Sequence, residues 1–419
     1  MQIKKPGKYC QKPGTFRVFL PKLYITCYKV SIMLWLFRSL FVLLSYLGIT
    51  FYTGLRLFAF IKLFQPTFKA VLFWPLYGLL PYGLIALSFI KLGRLDFLRL
   101  IGMYLLPFII FLFGFVFLFD IAKIILALLN RPLPGIMPAG VGVALAITLL
   151  IIVFGSIHAR DIKTAHYSLD YGGTEKLRIV LVSDLHIGPT VGEKWVGKIV
   201  KRINEADPDV VCMAGDIFDG WGGMAAPESI AAELRRIKAP LGVFACPGNH
   251  DTNWQTRSDD EVIHFLTGTG ITMLADKAAF LSPADGIPGI AVAGRRDARP
   301  IRMESGRLTA QELFSLMETG GGRQGQEKPF TVLLDHQPVE LPQEAEAGFD
   351  LVLCGHTHKG QFFPGNLFTR SIFKNAGGTH YGHWQKGKTQ AVVSSGAGIW
   401  GPPIRLATNS EIAVIDIAH

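Results

Sequence analysis

Residues 177–188 read LRIVLVSDLHIG. A run this short, apolar and rich in β-branched side chains predicts a buried strand over Leu177–Ser183. Directly behind it stand Asp184 and His186, an oxygen and a nitrogen donor one residue apart. Alone, Asp-x-His describes many surface turns. The arrangement recurs, however. Val210–Ala214 precedes Gly215-Asp216, and Val243–Cys246 precedes Gly248-Asn249-His250-Asp251. Thr331–Leu334 precedes His336, and Leu351–Cys354 precedes Gly355-His356-Thr357-His358. Five strand ends therefore carry metal-ligand residue types, and in an open α/β sheet the carboxyl ends of strands form the rim where chemistry collects. Helices are expected over Val191–Ala206 and Pro227–Ile237, and further strands over Ile290–Gly294, Ala391–Ser395 and Glu411–Ile417. Strands alternating with helices predict βαβ units and a largely parallel inner sheet. The Gly-rich stretch Gly320–Gly325 reads as a surface loop, and no internal repeat is evident.

The five clusters supply Asp184, His186, Asp216, Asn249, His336, His356 and His358, enough side chains to hold two divalent cations side by side. Such a pair, about 3.5–4 Å apart, needs a bridging carboxylate and terminal ligands of mixed oxygen and nitrogen character. Carboxylates and imidazoles without thiolate suit Mn, Fe or Zn rather than a Cys-rich structural zinc. The five cysteines show no paired spacing. Cys212, Cys246 and Cys354 fall inside expected core strands, where thiols act as small hydrophobes.

Before residue 157 the character changes. Half of the 419 residues are hydrophobic and only 18% are charged, with a mean hydropathy of +0.34. The apolar excess is concentrated in this first part, as in a membrane region joined to a soluble domain. Four segments approach bilayer-spanning length: about 39–55, 70–90, 100–119 and 136–156, the last following the Pro/Gly-rich loop Arg131–Pro138. Charges bracket them, with Arg38 and Arg56, Lys69 and Lys91, and Arg99 and Asp120 at their ends. The expected organisation is a membrane region over 1–156 and a catalytic domain over 157–419. The net charge of +10 then marks flanks that orient spans and meet anionic headgroups. A nucleic-acid binder is not expected, because no aromatic–basic groove pattern accompanies the charge. Lys4, Lys5, Lys8, Lys12, Arg17, Lys22, Lys29 and Arg38 load the N-terminal side. An even number of spans would place both that side and the catalytic domain in the cytoplasm.

The motif series resembles that of the calcineurin-like metallophosphoesterases over roughly residues 177–400. The apolar N-terminal segments, the sequence GHTHKGQ and residues 396–405, GAGIWGPPIR, resemble the membrane-associated branch with the YkuE- and YaeI-like enzymes. The resemblance implies a domain of two mixed β-sheets packed as a sandwich and flanked by helices. It implies that Asp184, His186 and His358 bind a first metal and Asn249, His336 and His356 a second, with Asp216 bridging. It also implies that His250 protonates the leaving oxygen and that Asp251 orients it. The Ser/Thr protein phosphatases of this superfamily carry an arginine behind Gly-Asp-x-Val-Asp, where this chain has Gly220, and a glutamate where it has Asp251. A protein phosphatase is therefore disfavoured.

The function these residues imply is metal-assisted hydrolysis of a phosphate ester or pyrophosphate by a metal-activated hydroxide. The expected setting is the inner, cytoplasmic membrane, and the expected substrate is lipid-linked or membrane-proximal. One concrete alternative from the superfamily is hydrolysis of UDP-2,3-diacylglucosamine in lipid A biosynthesis, and another is a non-catalytic metal-binding scaffold. Outside the motifs, Arg295, Arg296, Arg299 and Arg302 form either a receptor for an anionic head group or a solvated basic loop. His380, His383 and Trp384 could line a substrate-facing loop, and Arg405 sits in a Gly/Pro-rich loop that could return toward the metals. Asp335 either supports a ligand through a hydrogen bond or ends a solvated loop.

Overall fold

The computed structural model describes residues 19–88, 96–131, 136–173, 176–220, 228–252, 260–281, 289–298, 306–319 and 328–418. Arg299, Arg302 and the Gly320–Gly325 loop lie outside the described residues. The chain packs as two compact units, one of Met1–Pro75 with Ile109–Ala144 and the other of Leu76–Phe108 with Leu145–His419.

Four helices precede the first strand: α1 (Phe19–Phe64), α2 (Ala70–Ser88), α3 (Asp96–Leu128) and α4 (Ile136–Ala159). Three contain stretches long and apolar enough to cross a membrane, Ser39–Phe64, Phe97–Leu128 and Ala139–Ala159. The described apolar stretch of α2 is shorter, Ala70–Leu84, and at 1.5 Å per residue it spans roughly 22 Å against a hydrocarbon core of about 30 Å. The expected four spans are thus three long ones and a shorter helix. The first and third also run further than their bracketing charges suggested. Arg56 does not end α1 and Asp120 does not end α3, because the two pair at 2.6 Å and Tyr52 donates to the same carboxylate. Neutralised against each other, these charges are tolerated inside apolar helices.

The second unit contains twelve strands among the described residues. One six-stranded sheet has the order β1 (Ile162–Asp170), β12 (Ser410–Ala418), β2 (Lys176–Val182), β3 (Val210–Ala214), β4 (Val243–Cys246), β5 (Thr272–Met273). The other runs β10 (Gly382–Lys386), β11 (Thr389–Val393), β9 (Leu351–Cys354), β8 (Phe330–Leu334), β7 (Ile290–Gly294), β6 (Lys277–Leu281). Both are mixed. β2, β3, β4 and β5 run parallel while β12 opposes β2. In the second sheet β7, β8, β9 and β11 are parallel, with β6 and β10 antiparallel at the edges.

Alternation along the strands explains the layering. Leu177, Ile179 and Leu181 of β2 point between the sheets, where they meet Ile290, Val332, Leu353 and Ile415. Val180 and Val182 point the other way, onto Trp195, Val196, Ile199 and Ile203 of α5 (Glu193–Glu205) and onto Ile230 and Leu234 of α6 (Glu228–Leu234). Val262 and Leu266 of α7 (Asp260–Thr267) complete that layer. The outer face of the second sheet is covered by α8 (Ala310–Thr319) and α9 (Leu341–Ala347) through Leu313, Phe314, Met317 and Leu341. The last helix, α10 (Gly365–Asn375), follows the loop behind β9. Because both sheets aim the carboxyl ends of their parallel strands at the same edge, all five motif loops open there.

Candidate metal centre

The loops after β2, β3, β8 and β9 bring six of the seven expected donors together, and Asn249 follows Gly248 of the β4 loop, whose Cβ position abuts Asp216. His186 Nε2 lies 3.0 Å from His358 Nε2 and 3.7 Å from Asp216 Oδ2. His358 Nε2 is 3.6 Å from Asp184 Oδ1. On the other side of Asp216, His336 Nε2 stands 3.1 Å from the same Oδ2 and 3.2 Å from His356 Nδ1. Two donor groups, Asp184 with His186 and His358, and Asp216 with His336 and His356, therefore meet at one carboxylate oxygen. The other oxygen of Asp216 accepts the His250 amide at 2.8 Å.

The backbone is bent to achieve this. Asp184, His186, Asp216, His356 and His358 all have positive φ, between 47° and 71°. That region is costly for residues with a side chain, and clusters of it mark sites where the surrounding fold overrides local preference. Two glycines make the approach possible. A Cβ on Gly248 would run into the Asp216 carboxylate, and one on Gly355 into Asp184.

The donor set fits a pair of cations. Asp184, His186, Asp216 and His336 are buried, with their nitrogen and oxygen atoms turned toward one another. The Asn249 amide oxygen is buried without a hydrogen-bond partner. His336 Nδ1 lies 2.9 Å from the Ala214 carbonyl, which fixes the proton on Nδ1 and leaves Nε2 free as a ligand. Burial lifts the Asp184 carboxyl above its ordinary range. Burial acts on Asp216 the same way, but the facing His336 outweighs it and holds Asp216 far below that range. Burial, then the neighbouring His186 and Arg405, keep the His358 imidazole neutral.

The residues around this core depart from expectation in four places. Asp251 does not touch the His250 ring, since both its oxygens are taken by the backbone amides of Ile217, Phe218 and Gly248 at 2.8–3.2 Å. It ties the β3 and β4 loops together, and burial with the nearby Asp216 charge pushes its carboxyl up to about 7. The group that meets His250 Nδ1 is the Asp219 carbonyl, at 3.4 Å. Asp219 also sets a carboxylate oxygen 3.6 Å from His186 Nδ1. Its place three residues behind Asp216 was the available signal. Arg295 is no receptor for a head group. It is 2% exposed and is consumed by Asp335, Glu340, Glu344 and the Leu308 carbonyl. Asp335 is accordingly an ion-pair partner, not a solvated loop end. Arg296 lies along Asp276. His383 faces outward on edge strand β10, bonded to Gln390. Arg405 does return toward the centre, but behind it: its guanidinium is buried against the His358 carbonyl at 3.4 Å and ring at 3.3 Å. Cys212, Cys246 and Cys354 are free and buried, and burial pushes the Cys212 thiol up to about 12.

A two-sheet α/β sandwich with acidic and imidazole donors converging at its strand ends defines the class of dinuclear-metal phosphoesterases. Residues 177–360 match the family described as calcineurin-like phosphoesterase. A metallophosphoesterase of Aquifex aeolicus is 32% identical over 247 residues, covering 58% of this chain and 86% of that protein. A transmembrane protein with metallophosphoesterase domain from Danio rerio is 32% identical over 284 residues, 65% of this chain and 61% of its own length. YkuE of Bacillus subtilis is 27% identical over 61% of this chain and 83% of its own. The chain spans about three fifths of the length of other curated relatives it matches, two metallophosphoesterases of Helicobacter pylori that are 31% identical over 58% of this chain. It belongs to the calcineurin-like metallophosphoesterases and joins such a domain to apolar helices of membrane-spanning length.

Proposed function

We propose that the protein is a membrane-anchored phosphoesterase that holds two divalent cations (Mn, Fe or Zn) and cleaves a phosphate ester or pyrophosphate on a lipid-linked or membrane-proximal substrate. The observation that carries this reading is Asp216 Oδ2, placed between His186 Nε2 and His336 Nε2 at 3.7 and 3.1 Å. Asp184, His186 and His358 would hold one cation, and Asn249, His336 and His356 the other, with Asp216 shared. Bound there, the cations would lower the pKa of a water molecule and neutralise charge on phosphoryl oxygens. The chain does the rest. Ala214 and Asp219 fix the orientations of His336 and His186, and Asp251 locks the two loops that carry Asp216 and Asn249. His250 lies beside His186, ring centroids 4.9 Å apart, with its ring aimed by the Asp219 carbonyl. From there it can donate a proton to the departing oxygen.

The membrane setting is supported by the apolar helices and the transmembrane relative, and the basic N-terminal side supports a cytoplasmic catalytic domain. The test compares two variants of the full chain. Asp216→Asn should lose bound metal, measured by elemental analysis, together with activity. His250→Ala should keep its metal and lose turnover by about 10²–10⁴-fold on an alkyl ester, the usual contribution of general acid catalysis. Full activity of either variant on a substrate with a poor leaving group would overturn these roles.

A further inference from the structure

α10 presents its apolar residues to solvent. Phe363, just before the helix, and Leu367, Phe368 and Ile372 within it are between 54% and 67% exposed. Separations of four, one and four residues put them on one face. The opposite side buries Phe373, whose ring lies 6.4 Å from that of His356. A second exposed aromatic joins this surface. Trp400 is 51% exposed, its ring lies 6.4 Å from that of His250, and Gln361 clamps its backbone from both sides, accepting from the Trp400 amide and donating to its carbonyl. The inner side of α10, through Phe373, and Trp400 thus both lie next to histidines of the candidate metal centre.

Charge points to the occupant. Between Asp350 and Glu411 the chain has no Asp or Glu; of its six Lys and Arg there, Arg405 is buried and Lys386 pairs with Glu346, leaving Lys359, Arg370, Lys374 and Lys388. Arg370 and Lys374 lie on α10 itself, exposed, with no ion-pair partner among the described residues. A packed protein interface of this size would bring carboxylates against them. An apolar face flanked by unpaired cations, with a tryptophan at its edge, instead matches the boundary between acyl chains and anionic headgroups. The domain is also tethered close to such a boundary, since β1 begins at Ile162, three residues after α4 ends at Ala159.

We propose that Phe363, α10 and Trp400 form an interfacial docking surface that lies in an anionic bilayer surface and opens the metal centre against the headgroups. The inference rests on the reading of the protein as a membrane-proximal phosphoesterase, but its test needs no substrate. The full chain carrying Cys10→Ser and Cys27→Ser is reconstituted into nanodiscs containing phosphatidylglycerol. A single Phe368→Cys, Ile372→Cys or, as a solvated control on α5, Lys201→Cys is labelled with an environment-sensitive fluorophore. Labels at 368 and 372 should emit further to the blue and be quenched by a nitroxide-bearing lipid on the order of twofold or more above the control. The difference should shrink in phosphatidylcholine alone, and likewise in an Arg370→Gln/Lys374→Gln background. Quenching by aqueous iodide equal to that at Lys201 would overturn the proposal. So would shielding from both quenchers, which would mean that protein covers the face. If lipid quenching holds while no lipid-linked substrate is turned over, the docking surface stands and the substrate reading falls.

Discussion

Arg405 carries a positive charge into the protein interior with no carboxylate against it. Its guanidinium donates instead to the carbonyls of His358, Ser395, Gly396 and Gly398 at 2.7–3.4 Å. Burial drops its pKa to about 10, still charged at neutral pH. The fork thus fastens the left-handed His358 backbone to the 395–398 turn, and its charge disfavours a second cation, the imidazolium, on that ring. Arg405→Met should weaken metal binding about 10–100-fold, the usual cost of removing an outer partner of a ligand. Arg405→Lys should recover only part of this, because an ammonium cannot reach four carbonyls as a planar fork does. Chelator-competition titration reads both, and unchanged affinity in Arg405→Met would make the residue merely structural. His250 gives a second prediction. Burial holds its imidazole below the ordinary value of 6.5, the Asp216 charge opposing. The protonated form therefore predominates only at pH below that value. Turnover of alkyl esters should fall as pH rises through it, whereas p-nitrophenyl esters, whose leaving group needs no proton, should show no such fall. Identical alkaline limbs for both substrates would remove His250 as the acid. The candidate ligands were legible in the sequence because each is spelled out behind a strand. Their partners were not: Arg405 meets His358 across 47 positions and Arg295 meets Asp335 across 40, and nothing local marks either pairing.

At the scale of elements, the second sheet is fastened to α9 through a buried ion cluster at the end of β7. Arg295 and Arg307 share Asp335 and Glu340, and Arg295 also reaches Glu344 at 3.3 Å. Burial, with Asp335 beside it, lifts the Glu344 carboxyl well above its ordinary range, so it keeps its proton. Two arginines then balance two carboxylates. Arg295→Leu leaves Asp335 buried beside a single cation, and should destabilise the catalytic unit by about 3–5 kcal/mol, the range for breaking a buried pair from one side. Denaturant unfolding measures this, and a loss below about 1 kcal/mol, typical of an exposed pair, would show the cluster to be wet. Central strands such as β2, β3 and β8 were readable because both faces are buried and the run is uniformly apolar. β1 and β10 were not. As edge strands they alternate exposed and half-buried positions with polar residues (IKTAHYSLD, GHWQK). β5 is two residues long. α10 escaped for the opposite reason. Its apolar stripe of Leu367, Phe368 and Ile372 faces out and only Phe373 is buried, so the helix is not tied to the core as the others are.

For the whole molecule, the side of the membrane on which the proposed phosphoesterase domain would lie turns on α2. If only the three long helices cross, the N-terminus and the catalytic domain end on opposite sides. If α2 crosses too, they share one side. α2 spans 19 residues, roughly 28 Å at 1.5 Å per residue, within reach of a core of about 30 Å when flanking cations extend to the headgroups. Lys69 stands just before it, with Lys91 and Arg94 just after. The distribution of Lys and Arg favours crossing. Eight lie on the N-terminal side up to Arg38, and Lys91 and Arg94 lie between α2 and α3 with Arg99 in the first turn of α3, against Lys62 in the last turn of α1 and Lys69 just before α2. Single cysteines at Thr67, Gly93 and Lys388 can be probed with a membrane-impermeant maleimide in intact cells and in inverted vesicles. Thr67→Cys should label from outside, and Gly93→Cys and Lys388→Cys only from inside. Labelling of Thr67→Cys and Gly93→Cys from the same side would show that α2 does not cross. The domain would then lie opposite the basic N-terminus, away from the leaflet whose anionic lipids suit Arg370 and Lys374. A cytoplasmic domain and a docked α10 therefore stand or fall together, on whether α2 crosses and gathers the positive charge of this chain on one side of the bilayer.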